Sequence, residues 1–201
     1  MKTNHWKLGV LGVALLAASG AMAQAVVGKP APAFKATDLA GKPVALSDFK
    51  GKYVVLEWTN PECPFVKKHY DSGNLPATQK DATAKGVVWL SIQTVPAVDP
   101  KVRSELQSWQ ATKHAAATAS VIDDGSIGKA YRAATTPHMY IVDPQGQLIY
   151  AGAIDSKPTS NPADIQGATN YVNQALGEAL AGKPVSQPVT KAYGCTVKYP
   201  T

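Results

Sequence analysis

Short apolar runs alternate with longer amphipathic segments along most of this chain. Runs rich in β-branched and aromatic residues predict strands at 53–58, 87–92, 119–122, 139–142 and 148–151. Segments with apolar residues three or four positions apart predict helices at 65–84, 102–113, 126–133 and 165–181. Strands that alternate with helices in this order indicate an α/β sandwich with a mostly parallel central sheet.

Two hairpins flank the alternating region. Segments 34–37 and 43–46 enclose a turn near the start, and the turn at 143–147 joins the last two predicted strands. The second hairpin is expected to add antiparallel strands at the edge of the sheet. We interpret residues 24–183 as one domain and residues 184–201 as an extended C-terminal tail, because the tail shows no helical period.

The first 23 residues have the features of an export signal. Lys2 and Lys7 give a positive start, an apolar run covers 8–18, and Ala21 and Ala23 supply the small residues of a cleavage site. The apolar run is shorter than the roughly 20 residues that cross a bilayer. An uncleaved membrane anchor is the alternative reading. We expect an exported protein of the periplasm or cell envelope, without membrane association after cleavage.

Composition excludes several classes of protein. The formal net charge is +6 over 201 residues, but the basic residues are scattered, so no nucleic-acid partner is expected. No spacing of cysteine and histidine matches a structural zinc site, and no cofactor is expected. His69 and His114 are interpreted as surface or packing residues. The two cysteines form a structural bridge, a redox pair, or a reactive thiol with a bystander.

Cys63 is the strongest candidate for chemistry. It lies between a predicted strand and a predicted helix, so it stands at a helix N-terminus. Unpaired backbone N–H groups and the helix dipole favour an anion there, and a thiolate is the nucleophilic form of cysteine. Lys67, one helical turn further on, could support the thiolate or be an ordinary surface residue. A buried, unreactive cysteine is the alternative for Cys63.

Three stretches resemble the redoxins, the alkyl hydroperoxide reductase and thiol-specific antioxidant (AhpC/TSA) family, also called peroxiredoxin-like. They are 32–51, the strand 54–58 with Cys63-Pro64-Phe65, and 136–143 with the Gly146 turn. The tail motif at 193–199 resembles that of an exported, uncharacterised subgroup. The resemblance implies a thioredoxin-like three-layer sandwich, with a central mixed sheet and an N-terminal β-hairpin extension. It also implies thiol-dependent oxidoreductase chemistry.

The chain departs from the pattern of these families around Cys63. Thioredoxins carry a second cysteine three residues after the first, where this chain has Val66. Peroxiredoxins carry a threonine three residues before the cysteine and an arginine near the later strand, where this chain has Asn60 and Pro137. Arg132 is close in sequence to the missing arginine. Because position 66 is a valine, disulfide exchange through a local C-x-x-C pair is impossible.

The resemblance also assigns supporting residues. Pro137 is expected to be cis and to pack against Cys63, which makes Thr136 and His138 lining candidates, although His138 could equally be a partly exposed histidine without a role. Asn60 is expected to orient a reacting oxygen. Glu57, six residues before Cys63, is either a buried proton acceptor or a carboxylate that reaches solvent.

Cys195 leaves two functions open. It could resolve an oxidised Cys63, which would give an exported oxidoreductase with peroxiredoxin-like antioxidant activity, in which Cys63 attacks a peroxide or a disulfide. An external thiol donor or a disulfide-bearing protein would then be its partner. Cys195 could instead form a permanent bridge that fixes the tail. The protein would then be a non-catalytic thioredoxin-fold binding module with a structural disulfide.

Overall fold

The computed structural model describes residues 24–96 and 99–200. The predicted export signal at 1–23 lies outside the described residues. The strands are β1 Lys35–Asp38, β2 Pro43–Ala45, β3 Val54–Trp58, β4 Val88–Thr94, β5 Ala119–Asp123, β6 Thr135–Thr136, β7 His138–Val142, β8 Leu148–Gly152 and β9 Cys195–Thr196. The α-helices are α1 Pro64–Asp71, α2 Asn74–Ala84, α3 Pro100–Thr112, α4 Ser126–Tyr131 and α5 Tyr171–Leu180.

Seven strands form one mixed sheet in the order β2-β1-β5-β4-β3-β7-β8. Strands β3, β4 and β5 are parallel, whereas the N-terminal hairpin β1-β2 and the hairpin β7-β8 add antiparallel strands on either side. The predicted α/β sandwich with an N-terminal hairpin extension is confirmed. Strands β6 and β9 form a separate antiparallel pair.

Two apolar clusters cover the two faces of the sheet. Alternate residues of β3, such as Leu56 and Trp58, pack on the face that holds α4 and the buried tail residue Val197. Val55 of the same strand packs on the opposite face, against Cys63 and residues of α1, α2 and α5. This period-two alternation gives the three layers and places Cys63 on the face covered by α1, α2 and α5.

The predicted helix at 65–84 is wrong, because two helices occupy this segment. Gly73 has a φ of +73°, which ends α1, and its N–H donates to the Tyr70 carbonyl at 3.0 Å. Pro76 then falls in the first turn of α2, where a missing N–H costs no helical hydrogen bond. A continuous helix would have placed that proline in its interior.

The predicted helix at 165–181 also begins later than expected. A 3-10 turn covers Pro162–Ile165, and α5 begins only after Asn170. The Asn170 side chain caps α5 by accepting a hydrogen bond from the Asn173 N–H at 2.9 Å. The remaining predicted helices and strands are present, with small differences at their ends.

Candidate active site

Cys63 occupies the N-cap position of α1, and Pro64 is the first helical residue. The loop before it is ordered by Asn60, whose carbonyl accepts from the Cys63 N–H at 3.0 Å and whose side chain accepts from the Glu62 N–H at 2.8 Å. Cys63 is only 1% exposed. The sequence therefore positions the sulfur at the helix terminus, and the Asn60 side chain stabilises the approach to it.

Cys63 and Cys195 form a disulfide, with their Cα atoms 5.8 Å apart. Cys195 belongs to β9, which pairs with β6 so that Cys195 lies opposite Thr136. The Thr136 carbonyl oxygen lies 3.0 Å from the Cys63 sulfur. The Thr136–Pro137 peptide bond is cis, as predicted. The two sulfurs, Thr136 and Pro137 are thus brought together at one site.

A glycine permits the close approach of the tail. Gly194 has a φ of +138°, and an added Cβ atom would lie 2.7 Å from the Thr136 carbonyl carbon. Both the backbone conformation and the space therefore require glycine directly before Cys195. Cys195 itself is half-buried, so it is the more accessible end of the disulfide.

Glu57 is fully buried on the same face of the sheet as Cys63. One carboxylate oxygen accepts from the Tyr70 hydroxyl at 2.9 Å. The other accepts from Gln79 at 2.9 Å, Trp89 at 2.7 Å and Ser91 at 3.0 Å. Burial raises the pKa of Glu57 above its usual value of 4.5, although these hydrogen bonds oppose the shift. The carboxylate therefore does not reach solvent, and its four donors hold it in one orientation.

Two of the predicted supporting side chains lie away from the sulfur. Lys67 is exposed to solvent. The His138 ring packs against the Tyr140 ring with centroids 4.5 Å apart, on the face opposite Cys63. Burial lowers the pKa of His138 to about 4, so its imidazole is neutral near pH 7.

The arginines of the chain are engaged elsewhere. Arg132 donates to the Gln24 side chain, and Arg103 donates to the Asp38 carbonyl. The structure therefore gives no arginine contact to the disulfide among the described residues. The unpaired hydroxyl of Thr136, by contrast, is buried close to the site.

A buried polar cluster beside the disulfide was not foreseen from the sequence. It consists of Lys68, His69, Asp155 and Tyr193, and we refer to it as the Tyr193 cluster. The Tyr193 hydroxyl donates to the Asp155 carboxylate, and the Lys68 ammonium lies 3.5 Å from the same carboxylate. The ammonium also donates to the Lys157 carbonyl at 2.9 Å and lies 5.7 Å from the Tyr193 ring centroid.

His69 completes the Tyr193 cluster as a neutral imidazole. Its Nδ1 lies 2.9 Å from the Asn74 amide nitrogen, and its Nε2 lies 3.3 Å from the Tyr193 hydroxyl oxygen. Burial is the main cause that lowers the pKa of His69 to about 4, with Asp155 opposing the shift and Lys68 adding to it. His69 is therefore a packing residue rather than a surface residue, in agreement with one of the two interpretations.

The sequence offered one weak signal for the Tyr193 cluster. Tyr193 is two residues before Cys195, so pairing of the cysteines had to bring it near the first turns of α1. Phe65 shows this proximity, since its ring centroid lies 5.8 Å from that of Tyr193. The burial of Lys68 could not be predicted from the sequence. A lysine is seldom buried without a charge partner, and its partner Asp155 is distant in sequence.

The described residues place limits on other kinds of site. In residues 24–96 and 99–200, no group of three or more histidine, cysteine or acidic residues is arranged to hold a metal ion. Within the same ranges, no helix has the length and apolar character needed to cross a membrane.

Comparison with solved structures identifies the fold. An uncharacterised conserved protein from Geobacillus kaustophilus is 27% identical over 87% of this chain and 92% of its own, with a TM-score of 0.71. A hypothetical protein from Sinorhizobium meliloti 1021 is 22% identical over 87% and 94%, with a TM-score of 0.69. The thioredoxin domain of a Bacteroides vulgatus thiol-disulfide oxidoreductase is 22% identical over 71% and 96%, with a TM-score of 0.53.

The predicted thioredoxin-like fold is confirmed by these similarities. Curated proteins give no significant match. The sequence profile of the AhpC/TSA family matches residues 27–151, which include β1 to β7, Cys63 and Pro137. The chain belongs to the AhpC/TSA family of redoxins.

Proposed function

We propose that this protein is an exported thiol–disulfide oxidoreductase in which Cys63 and Cys195 are the redox pair. The supporting observation is that the disulfide joins a buried sulfur at the N-terminus of α1 to a more accessible sulfur in the tail. This asymmetry gives each sulfur a different role. Thr136 and Pro137 position the two sulfurs, and Asn60 holds the loop that leads to Cys63.

Reduction begins at Cys195, because Cys63 is covered. A thiolate of the electron donor attacks the Cys195 sulfur and forms a mixed disulfide, while the bond electrons leave with Cys63 as a thiolate. The backbone N–H groups of α1 stabilise this leaving group. A second donor thiolate attacks the donor sulfur of the mixed disulfide and releases the Cys195 thiolate, which takes up a proton. The donor thiols become a disulfide, and the protein disulfide is reduced.

Oxidation of the reduced pair follows a different route, which begins at Cys63. The Cys63 thiolate attacks a substrate disulfide and displaces one substrate thiolate, and Cys195 then attacks the resulting mixed disulfide and releases the other. The buried Glu57, with its raised pKa, is assigned as the proton acceptor on this face of the sheet. Its role is independent of His138, which lies on the opposite face.

Disulfide substrates are favoured over peroxides. A peroxide would convert the Cys63 thiolate to a sulfenic acid, which the Cys195 thiol would condense to the disulfide with loss of water. That reaction benefits from a cation and a hydrogen-bond donor that polarise the peroxide oxygens. Here Arg132 donates to the Gln24 side chain and Arg103 donates to the Asp38 carbonyl, so neither arginine supplies this cation. Peroxiredoxin-like antioxidant activity is therefore the slower reaction of the same pair.

A non-catalytic module with a structural disulfide is the second candidate function. The integration of the tail favours it, because Val197 is 6% exposed and packs in the core, and the Val197 N–H donates to the Ala134 carbonyl at 3.0 Å. A bridge that closes a loop of 132 residues would stabilise the fold by about 4–5 kcal/mol in the chain-entropy model.

Thiol trapping in the folded state separates the two functions. We expect millimolar dithiothreitol to expose both thiols to alkylation without loss of the far-ultraviolet circular dichroism signal. Cys63→Ser should abolish turnover of a disulfide substrate. A disulfide that resists until urea unfolds the chain would establish the structural function instead.

Export and cleavage of the signal are tested by the intact mass of the purified protein. The intact mass of the protein recovered from the periplasmic fraction should correspond to a chain that begins at Gln24 and should rise by the mass of two hydrogen atoms after reduction. A full-length mass in the membrane fraction would contradict cleavage and support the uncleaved anchor.

A further inference from the structure

A cavity of about 550 Å³ lies beside the loop that precedes Cys63. Thr59–Glu62 form one wall, the end of β4 at Gln93–Val95 forms the floor, and α3 forms the other wall through Leu106 and Trp109. Trp109 is held in place by Tyr70 of α1, with ring centroids 4.6 Å apart. The cavity thus lies between α3 and the loop that precedes α1, at the same end of the sheet as the disulfide.

Two buried polar side chains that line this cavity have no partner. Gln93 and Thr59 are each 2% exposed. Neither polar atom of the Gln93 carboxamide, nor the Thr59 hydroxyl, makes a hydrogen bond within the described part of the chain. Buried amide groups in folded proteins are nearly always paired. An amide with both atoms unpaired at a cavity therefore points to a ligand.

Gln93 and Thr59 are neighbours across the sheet. Trp58 pairs with Ile92 in the parallel register of β3 and β4, and Thr59 and Gln93 follow directly. On the same face one step earlier, Ser91 donates to Glu57 at 3.0 Å. Ser91 and Glu57 are thus hydrogen-bonded at the sheet centre, whereas Thr59 and Gln93, one step further along the same strands, have no such partner within the described residues.

We propose that this cavity binds the peptide backbone of a cysteine-containing peptide or protein substrate. The inference rests on the proposed function, since it names the substrate class of the redox pair. The Gln93 carboxamide offers an NH₂ donor group and a carbonyl acceptor, and a peptide group offers the matching acceptor and donor. The Leu106 and Trp109 walls provide apolar surface for a neighbouring side chain of the substrate.

Charge at the cavity rim disfavours an anionic ligand. Glu62 and Glu105 line the rim with a single cation, Lys198. A purely apolar ligand would leave the Gln93 carboxamide unpaired. A neutral, extended peptide carries no negative charge and has polar backbone groups that can pair with the Gln93 carboxamide.

The cavity is positioned to present a substrate cysteine to the disulfide. Glu62 precedes Cys63 directly, and Lys198 lies three residues beyond Cys195. Each side of the cavity is therefore continuous with one half of the redox pair. A peptide seated here lies beside the two segments that carry the cysteines.

The test compares two disulfides. One is the symmetric disulfide of a blocked five-residue peptide with a central cysteine, and the other is bis(2-hydroxyethyl) disulfide, which has no peptide group. We expect Gln93→Met to lower the second-order rate constant for oxidation of the reduced protein by the peptide disulfide about tenfold. The rate constant with bis(2-hydroxyethyl) disulfide should change less than twofold. Gln107→Met is the control, because Gln107 lies on α3 and bonds the Leu39 carbonyl outside the cavity.

A binding measurement keeps the inference separate from the redox chemistry. The same peptide with serine in place of cysteine should bind the oxidised wild-type protein, and Gln93→Met should raise its dissociation constant about tenfold. Failure of both disulfides to react would overturn the proposed function and leave this binding result to decide on the cavity. Equal rates and equal dissociation constants in wild type and Gln93→Met would overturn the peptide site.

Discussion

The carbonyl oxygen of Thr136 lies 3.0 Å from the sulfur of Cys63, and Thr136 also pairs with Cys195 in the short β6-β9 ladder. One residue therefore contacts both halves of the disulfide. A reduced Cys63 can donate its S–H to this oxygen, whereas a thiolate receives its hydrogen bonds from the N-terminus of α1. The two partners favour opposite protonation states of the same sulfur.

Tyr193→Phe tests whether the Tyr193 cluster holds the tail. The variant leaves the buried Asp155 carboxylate without its hydroxyl donor, so we expect the free energy of unfolding to fall by about 1–3 kcal/mol. Cys195 is two residues away, so the disulfide should also be reduced faster by dithiothreitol. Urea denaturation and stopped-flow reduction measure the two effects.

Tyr53→Phe is the matched control for this variant. The Tyr53 hydroxyl donates to the Ala179 carbonyl at 3.0 Å, near the C-terminal end of α5, and takes no part in the Tyr193 cluster. We expect a loss of about 1 kcal/mol without any change in the reduction rate. Equal reduction rates in all three proteins would show that the Tyr193 cluster does not restrain Cys195.

Gly194→Ala should prevent the tail from docking. The added methyl group would collide with the Thr136 carbonyl, and the φ of +138° strains any other residue. We expect reduced Gly194→Ala to form the Cys63–Cys195 disulfide much more slowly than wild type in a glutathione redox buffer, as measured by alkylation and mass spectrometry.

Gly182→Ala separates backbone strain from the collision. Gly182 has a φ of +71°, but an added Cβ would meet nothing within 4 Å. It should cost about 1 kcal/mol of stability and leave disulfide formation unchanged. Normal oxidation of Gly194→Ala would mean that close contact with Thr136 is not required.

Glu57→Gln tests the pH dependence of stability. The pKa of Glu57 is raised in the folded state, so the folded protein binds more protons than the unfolded chain above pH 4.5, and the wild type loses stability as pH rises. Relative to Glu57→Gln, the free energy of unfolding should fall by about 1.4 kcal/mol per pH unit until the folded pKa is reached. Urea curves at several pH values measure this difference, and parallel profiles would contradict a raised pKa.

The buried His138 should make the free energy of unfolding depend on pH in the opposite direction, with stability lost as the pH falls. Its pKa is lowered from 6.5 to about 4 in the folded protein, so its contribution is complete above pH 6.5 and is lost as pH falls towards 4. The wild type should lose about 3 kcal/mol relative to His138→Phe over this interval. An NMR titration of the imidazole gives the pKa directly, and a midpoint near 6.5 would contradict the burial of His138.

Local patterns were sufficient to predict most of the fold and the centre of the site. Cys63 lies between a buried strand that ends at Trp58 and a helix that begins at Pro64, and neighbouring residues determine both boundaries. The cis bond at Pro137 followed from the family resemblance. The break between α1 and α2 at Gly73 also has a local cause, and Pro76 was a sign of it. We predicted one continuous helix because the spacing of apolar residues continues across the break.

The Tyr193 cluster could not be predicted because it depends on tertiary contacts. Lys68 follows an exposed lysine in a basic pair, and the groups that stabilise its burial are Asp155, the Lys157 carbonyl and the Tyr193 ring, all far along the chain. The orphaned Gln93 was equally hidden, since a glutamine at the end of a strand is usually solvated. Which polar groups are buried depends on which segments pack together in the fold, and the spacing of apolar residues along the chain does not determine this.

The tail also shields one margin of the seven-stranded sheet. Strand β8 is the last strand in the order, and Ala151 exchanges hydrogen bonds with Pro188 and Thr190 of the tail at 3.0 and 3.1 Å. An unshielded β-edge recruits strands from other molecules. Detachment of the tail as far back as Pro188 would therefore expose the edge of β8 and favour self-association, so reduction of the disulfide would affect the tendency of the protein to aggregate.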